Sequence, residues 1–429
     1  MRRDLGLVEL TAIALGGMIG GGIFAVLGIA VDHVGNATSL AILAAGVLAL
    51  LAGANYARLA RHYKDEGATY AFFKRTFPGS AMAASVIGWL VVFGYIATLG
   101  LYAFTFASYL GSLFPSRDQE ALRVVLSGLQ LASFSALNIF SVRLMGRIED
   151  LMVYIKVALL LLLAGVLFWA GDPAHARLPA LEPALGGDML LVAAITFVAF
   201  EGFQLAIHAY EEVDEPDINV PRAIYAAIVA ATALYVLLAE GALWSLDKAQ
   251  IIADKEYALA AGAAEVLGGG GHALVIGAAL LATSSAVSGT LFGASRLAAV
   301  IAVDGYMPAF MGRRRGRVPA AAIITLAACA WLLLLSGRLE LIVEFGSLVF
   351  LVVSLLMAIA NWRIRHLTGS SLAFCLASTV ALAAAALAVV GWQVAERPDD
   401  LRWTLSTGAV LAVGSVAYGR WSRRGAAVP

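Results

Sequence analysis

Gly16-Gly17-Met18-Ile19-Gly20-Gly21-Gly22-Ile23-Phe24 places five glycines within seven positions, in the middle of an apolar run that is long enough to cross a bilayer. Each glycine lowers helix stability by about 1 kcal/mol relative to alanine, so the stretch predicts a break rather than a continuous helix. A glycine cluster that stood alone would read as a close-packing face between membrane helices.

A second stretch changes that reading. Ala199-Phe200-Glu201-Gly202-Phe203-Gln204 puts a carboxylate and a glycine near the midpoint of another apolar run. Non-helical backbone at membrane depth is tolerated only where it is buried or lines a cavity. Two interrupted helices in corresponding positions of two halves point to a transporter binding site, so the two breaks are expected to face one shared cavity.

The rest of the chain supports a membrane setting. Of its 429 residues 61% are hydrophobic and 14% charged, far from the roughly quarter-charged soluble norm. The formal net charge is zero, which gives no reason to expect nucleic acid as a partner. Cys329 and Cys375 lie in apolar runs without disulfide or zinc spacing. The chain opens Met1-Arg2-Arg3 and runs into the first apolar segment with no small-residue cleavage site, so a removable signal peptide is not expected.

A hydrocarbon core of about 30 Å needs about 20 apolar helical residues. Runs of that kind predict an all-α polytopic protein of about twelve transmembrane helices, near 7–31, 38–60, 82–113, 121–140, 146–170, 187–210, 221–245, 272–303, 318–336, 339–361, 370–391 and 401–420. A short surface helix is expected over 256–267. Lys and Arg accumulate in cytoplasmic loops; with both termini inside, twenty of the 29 basic residues fall on the cytoplasmic side and eight on the other. Lys156 belongs to neither set. In this orientation the sixth span enters from the opposite side to the first, so residues 1–170 and 187–361 read as two five-helix halves of inverted topology, with 370–421 as accessory helices.

The chemistry of such a cavity suits a zwitterion. Amides freed at the start of the second half of a broken helix carry the positive end of its dipole and favour a carboxylate. Carbonyls freed at the breaks can accept from an ammonium.

These residues also resemble a known family. The stretch from Gly16 to Phe24 is similar to the helix 1 signature of the amino acid-polyamine-organocation (APC) superfamily. Tyr210-Glu211-Glu212-Val213-Asp214-Glu215-Pro216-Asp217-Ile218-Asn219-Val220-Pro221-Arg222-Ala223-Ile224 resembles its signature between helices 6 and 7. Leu291-Phe292-Gly293-Ala294-Ser295-Arg296, followed by Asp304-Gly305-Tyr306-Met307-Pro308, resembles the end of its helix 8. The resemblance implies a LeuT-type 5+5 inverted repeat with broken helices 1 and 6. It implies a substrate carboxylate on the amides of Gly20, Gly21 and Gly22, and an ammonium on the carbonyls of Met18, Ile19, Val198, Ala199 and Glu201. Many members carry a gating aromatic where this chain has Val198; Phe197 and Phe200 are the candidates to replace it.

Lys156 lies about ten residues into the fifth span, roughly 15 Å along its axis at 1.5 Å per residue. A lysine at that depth is a functional hypothesis by default, and no interface is within snorkelling reach. Gly146-Arg147-Ile148-Glu149-Asp150 leading to Lys156 resembles the fifth helix of archaeal proton-coupled members of the superfamily, in which a lysine takes the place of a sodium ion. That likeness implies contacts from its ammonium to the Gly16 carbonyl and to Ser285, and coupling to protons.

Glu201 has two open readings, a structural partner of a lysine, water or freed amides, or a contact for substrate or proton. Glu240, Glu344 and His208 read as packing or interfacial residues, and Glu211 and Glu212 as loop or gate contacts. The expected function is secondary transport of a small amino acid across the cell membrane. An exchanger of cationic amino acids or polyamines, with Glu201 taking the second charge, and a transporter-derived sensor remain alternatives. No filter-like repeat suggests a channel, and no metal-ligand spacing or Ser/His pair at plausible depth suggests an enzyme; no metal or cofactor is called for.

Overall fold

The fold is taken from a computed structural model, which describes residues 5–114, 118–140, 142–169, 171, 186–210, 213–254, 259, 268–314, 318–335 and 339–426. Side chains of residues 81, 142–150, 253–254, 339–340 and 423–426 are likewise not described. The expected helix over 256–267, apart from Leu259, falls outside these residues, as do Glu211, Glu212, Arg2, Arg3, Arg117, Arg177, Lys255, Arg315, Arg317 and Arg338. The side chains of the Gly146–Asp150 stretch fall outside them too.

All regular structure among the described residues is helical, apart from isolated parallel bridge contacts between Leu5 and Val213. The expected first helix is split into α1 (Leu7–Met18) and α2 (Gly22–Val34). Then come α3 (Thr38–Tyr63), α4 (Ala68–Thr76), α5 (Ala81–Gly111), α6 (Gln119–Phe140) and α7 (Val142–Trp169). The expected sixth helix is also divided, into α8 (Gly187–Thr196) and α9 (Leu205–His208), joined by a 3-10 turn at Phe197–Phe200. The second part of the chain continues with α10 (Pro216–Ser245), α11 (Lys248–Asp254), α12 (Gly269–Val303), α13 (Ala320–Leu334), α14 (Leu339–Arg363), α15 (Leu372–Glu396) and α16 (Pro398–Ala426).

Among the described residues nine helical runs are long and apolar enough to cross a membrane, one of them the joined run Gly22–Tyr63. Leu7–Met18 and Ala320–Leu334 are shorter apolar helices. Burial separates the centre from the rim. The most apolar window of Gly187–His208 is 94% buried, whereas that of Gln119–Phe140 is 28% buried. The divided helices are therefore interior, where non-helical backbone can find protein partners in place of water, and α6 lies at the periphery with a single buried face.

Candidate functional site

The break between α1 and α2 exposes a run of carbonyls, and each described one is met by a side chain from another helix. Lys156 of α7 is fully buried; its Nζ donates to the carbonyl oxygens of Gly16 and Ile19, both at 2.7 Å, and to Ser285 Oγ of α12 at 3.1 Å. An ammonium has three donors and no acceptor, so this cluster of three acceptors matches its charged form. The hydroxyl of Tyr102, from α5, donates to the Gly17 carbonyl at 3.0 Å. Tyr235 of α10 stands between the breaks, its hydroxyl 2.7 Å from the Met18 carbonyl and 3.0 Å from that of Ala199, so its proton can serve either.

The second break is held in the same manner. Ser347 of α14 inserts its hydroxyl into the backbone of the divided helix, donating to the Ile195 carbonyl at 2.6 Å and accepting from the Val198 amide at 3.1 Å. Beyond the 3-10 turn Glu201 is extended, at φ −67° and ψ 134°. Gln204 reaches back over it: Nε2 donates to Glu201 Oε2 at 2.8 Å, while Oε1 accepts from the Gly202 amide at 3.2 Å. Glu201 Oε1 is buried and has no hydrogen-bond partner among the described residues.

Gly202 brings the breaks together. Its φ is +132°, a conformation that side chains disfavour, and a Cβ there would lie 2.4 Å from the Gly17 carbonyl carbon and 2.6 Å from the Met18 amide. Both are backbone atoms. The glycines of the first break are packed as tightly: a Cβ would lie 2.5 Å from the Tyr102 ring at Gly20, 2.7 Å from Thr105 Oγ1 at Gly21 and 2.8 Å from Ala199 Cα at Gly22.

The expected site residues are therefore gathered around the two breaks, with differences in detail. The Gly20 amide donates to the Met18 carbonyl at 2.9 Å, so the amides that open α2, which have no intrahelical acceptor, begin after it. The Met18 carbonyl already receives both the Gly20 amide and Tyr235, which uses its two lone pairs, and the Ile19 carbonyl receives Lys156 with one lone pair remaining. Phe197, Val198 and Phe200 are all buried; Phe200 packs edge-on against Tyr235 at 5.3 Å, and the Val198 Cγ2 methyl lies against Gly346 of α14.

Several participants were missed in the sequence. Tyr102, Tyr235, Ser347 and Gln204 sit in apolar runs as unremarkable singles, and only Gln204, three residues after Glu201, had a spacing that could have marked it. The other carboxylates have separate partners. Glu344, one turn before Ser347 in α14, receives Gln393 Nε2 at 3.0 Å and lies 3.5 Å from Arg397. His208 Nδ1 donates to the Glu66 carbonyl at 2.7 Å, and Glu240 is half-buried.

Helices of membrane-crossing length around two buried, polar-lined breaks define a polytopic membrane transporter. The chain belongs to the amino acid permease family of the APC superfamily, whose family model matches residues 5–391. It is 29% identical over 391 residues to the inner membrane transport protein YbaT of Escherichia coli, covering 91% of this chain and 90% of that one. It is 25% identical over 334 residues to the branched-chain amino acid permease BcaP of Bacillus subtilis, covering 73% and 70%. The large neutral amino acids transporter small subunit 2 of Rattus norvegicus is 28% identical over 327 residues, 72% of this chain and 60% of its own length. The protein is thus an integral membrane amino acid transporter and not an enzyme.

Proposed function

We propose that this chain is a proton-coupled carrier of a small neutral amino acid, with a LeuT-type arrangement of two inverted five-helix halves, 1–170 and 187–361, and both termini in the cytoplasm. The observation that carries the coupling is the Lys156 ammonium, which ties α7 to the Gly16 and Ile19 carbonyls of the first break and to Ser285 of α12. A cation bound between those elements would make the same ties, and a lysine donates all three as charge-assisted bonds only while it holds its proton. Loss of that proton removes the charge and one of the three donors, which weakens the ties to the carbonyls, so protonation and substrate occupancy can favour different conformations, as coupling requires.

Substrate is assigned to the space between the breaks. Its carboxylate is held by the Gly21 and Gly22 amides and its ammonium by the carbonyls of Met18, Ile19, Val198, Ala199 and Glu201, with Phe197 and Phe200 closing the site. Because the Gly20 amide is committed to Met18 and a Cβ at Gly21 would meet Thr105, substrate entry has to displace Tyr102 and Thr105 from the glycines. The relatives' printed substrates, branched-chain and large neutral amino acids, support an apolar side chain.

A second reading has one observation in its favour: the unpartnered Oε1 of Glu201 is an acceptor for an additional positive charge, which fits an exchanger of cationic amino acids or polyamines. Uptake into proteoliposomes separates the two. Under the primary reading a neutral amino acid accumulates when a proton gradient is imposed without sodium, and amines lacking the carboxylate compete poorly. A sodium requirement would overturn the coupling, and equal competition by a polyamine would favour the exchanger.

A further inference from the structure

The peripheral helix α6 carries buried polar groups that the site does not use. Ser127, Gln130, Ser135 and Asn138 are all more than nine-tenths buried. At 3.6 residues per turn they share one broad face of the helix, which is turned towards α5, α12 and α13, where Trp331 of α13 donates to the Val124 carbonyl at 3.0 Å. The outward positions are mostly apolar, with Val125 56% and Leu129 59% exposed, and the exposed Ser133 donates back to the Leu129 carbonyl. A peripheral membrane helix needs an apolar face towards lipid, but nothing about packing requires the opposite face to be polar.

Along that face hydrogen bonding is incomplete. Neither the amide nitrogen nor the oxygen of Gln130 has a partner among the described residues, and the same holds for Ser135 Oγ and Asn138 Oδ1. From residue 130 to residue 138 this covers about 12 Å of helix axis. Unpaired amide and hydroxyl groups away from water carry a large desolvation penalty, and buried polar groups in this condition are what ordered water satisfies.

The two ends of the face lead somewhere. Towards the start of α6, Ser127 Oγ donates to the Ala103 carbonyl of α5 at 3.1 Å, and the half-buried Arg123 lies over the Phe104 ring at 4.4 Å. Towards its end, Asn138 Nδ2 is 3.4 Å from Ser288 Oγ of α12. Ser288 is three residues, one helical turn, from Ser285, the hydroxyl that receives Lys156.

From this juxtaposition we infer that the buried face of α6 holds a file of water molecules running from the Arg123 end of the helix to Ser288 and Ser285, by which protons reach Lys156 without passing through the substrate space. The inference rests on Lys156 being the proton-binding group. It separates the two routes: substrate uses the space between the breaks, and the proton uses the interface of α6 with α5, α12 and α13.

The test uses the full-length transporter in proteoliposomes with Cys329 and Cys375 replaced by serine. Single cysteines replace Gln130 and Ser135, and controls replace the lipid-facing Leu129 and Leu167 of α7, which is buried against Gly241 of α10. A thiol reacts as its thiolate, which needs water, so a small charged methanethiosulfonate reagent should modify the Gln130 and Ser135 positions about tenfold faster or more than either control. A second arm uses Gln130→Leu, expected to lower proton-driven accumulation several-fold while substrate counterflow stays close to wild type. Labelling no faster than the controls overturns the file. So does a Gln130→Leu variant whose driven uptake and counterflow fall together, or do not fall. Fast labelling combined with a Lys156→Ala variant that still accumulates substrate on a proton gradient overturns the lysine reading instead, and with it the file's destination.

Discussion

The two helix breaks solve one problem with different groups. Both free backbone carbonyls in the bilayer's interior, and both are satisfied by side chains from distant parts of the chain. At the first break the partners are a cation and phenols, Lys156, Tyr102 and Tyr235. At the second they are neutral, Ser347 and the shared Tyr235, with the Glu201 carboxylate and its partner Gln204 contributed by the break itself. A serine hydroxyl holds a break in one state. A lysine holds it in a manner that depends on a proton, so the first break is where an ion gradient can act and the second is the frame against which it acts.

The sharpest way to break this comparison is at the point where the breaks touch. Gly202→Ala places a methyl 2.4 Å from the Gly17 carbonyl carbon and at a positive φ, with backbone on the other side and no flexible side chain to yield. Complete loss of transport is expected, with reduced yield of folded protein in detergent. An active Gly202→Ala carrier would show that the breaks are not in contact during the cycle.

Tyr235→Phe comes next, since that one hydroxyl serves Met18 and Ala199. The Met18 carbonyl keeps the Gly20 amide, but leaving the buried Ala199 carbonyl unsatisfied costs about 1–3 kcal/mol, so a clear drop in thermal stability in detergent and a severalfold lower uptake rate are expected. If stability is unchanged, the link between the breaks is not carried by this residue.

Ser347→Ala should have the smallest effect of the three on stability. Removing the hydroxyl lets the Val198 amide and the Ile195 carbonyl return to ordinary helical partners, so the break can close rather than remain unsatisfied. A net cost of about 0.5–1.5 kcal/mol is expected, with a larger change in apparent substrate affinity than in melting temperature. The reverse ranking of Tyr235→Phe and Ser347→Ala would mean that the second break, and not the contact between breaks, anchors the site.

How much of this was legible in the sequence follows from the same comparison. Gly16 to Gly22 marks its own break, because glycine clusters are poor helix and carry their signal locally. Lys156 marks itself, because a cation in an apolar run has no bland explanation. The second break was placed by Glu201 and Gly202, but its 3-10 turn at Phe197–Phe200 has no local signature. Tyr102, Tyr235 and Ser347 could not be picked out, since a tyrosine or serine in a membrane helix is common and its partner is known only once residues 85 to 217 apart in the chain are packed together. The commitment of the Gly20 amide to Met18 was equally hidden, because it depends on how the chain turns between α1 and α2.

The central claim is that Lys156 couples the first break to protons, and Lys156→Ala measured beside the wild type tests it most directly. Both proteins are reconstituted, substrate binding is measured at equilibrium, and uptake is followed under an inward proton gradient with sodium absent. The account predicts that the wild type concentrates substrate, and that the alanine variant still binds it but does not concentrate it. A variant that accumulates substrate on the proton gradient as the wild type does would contradict the account.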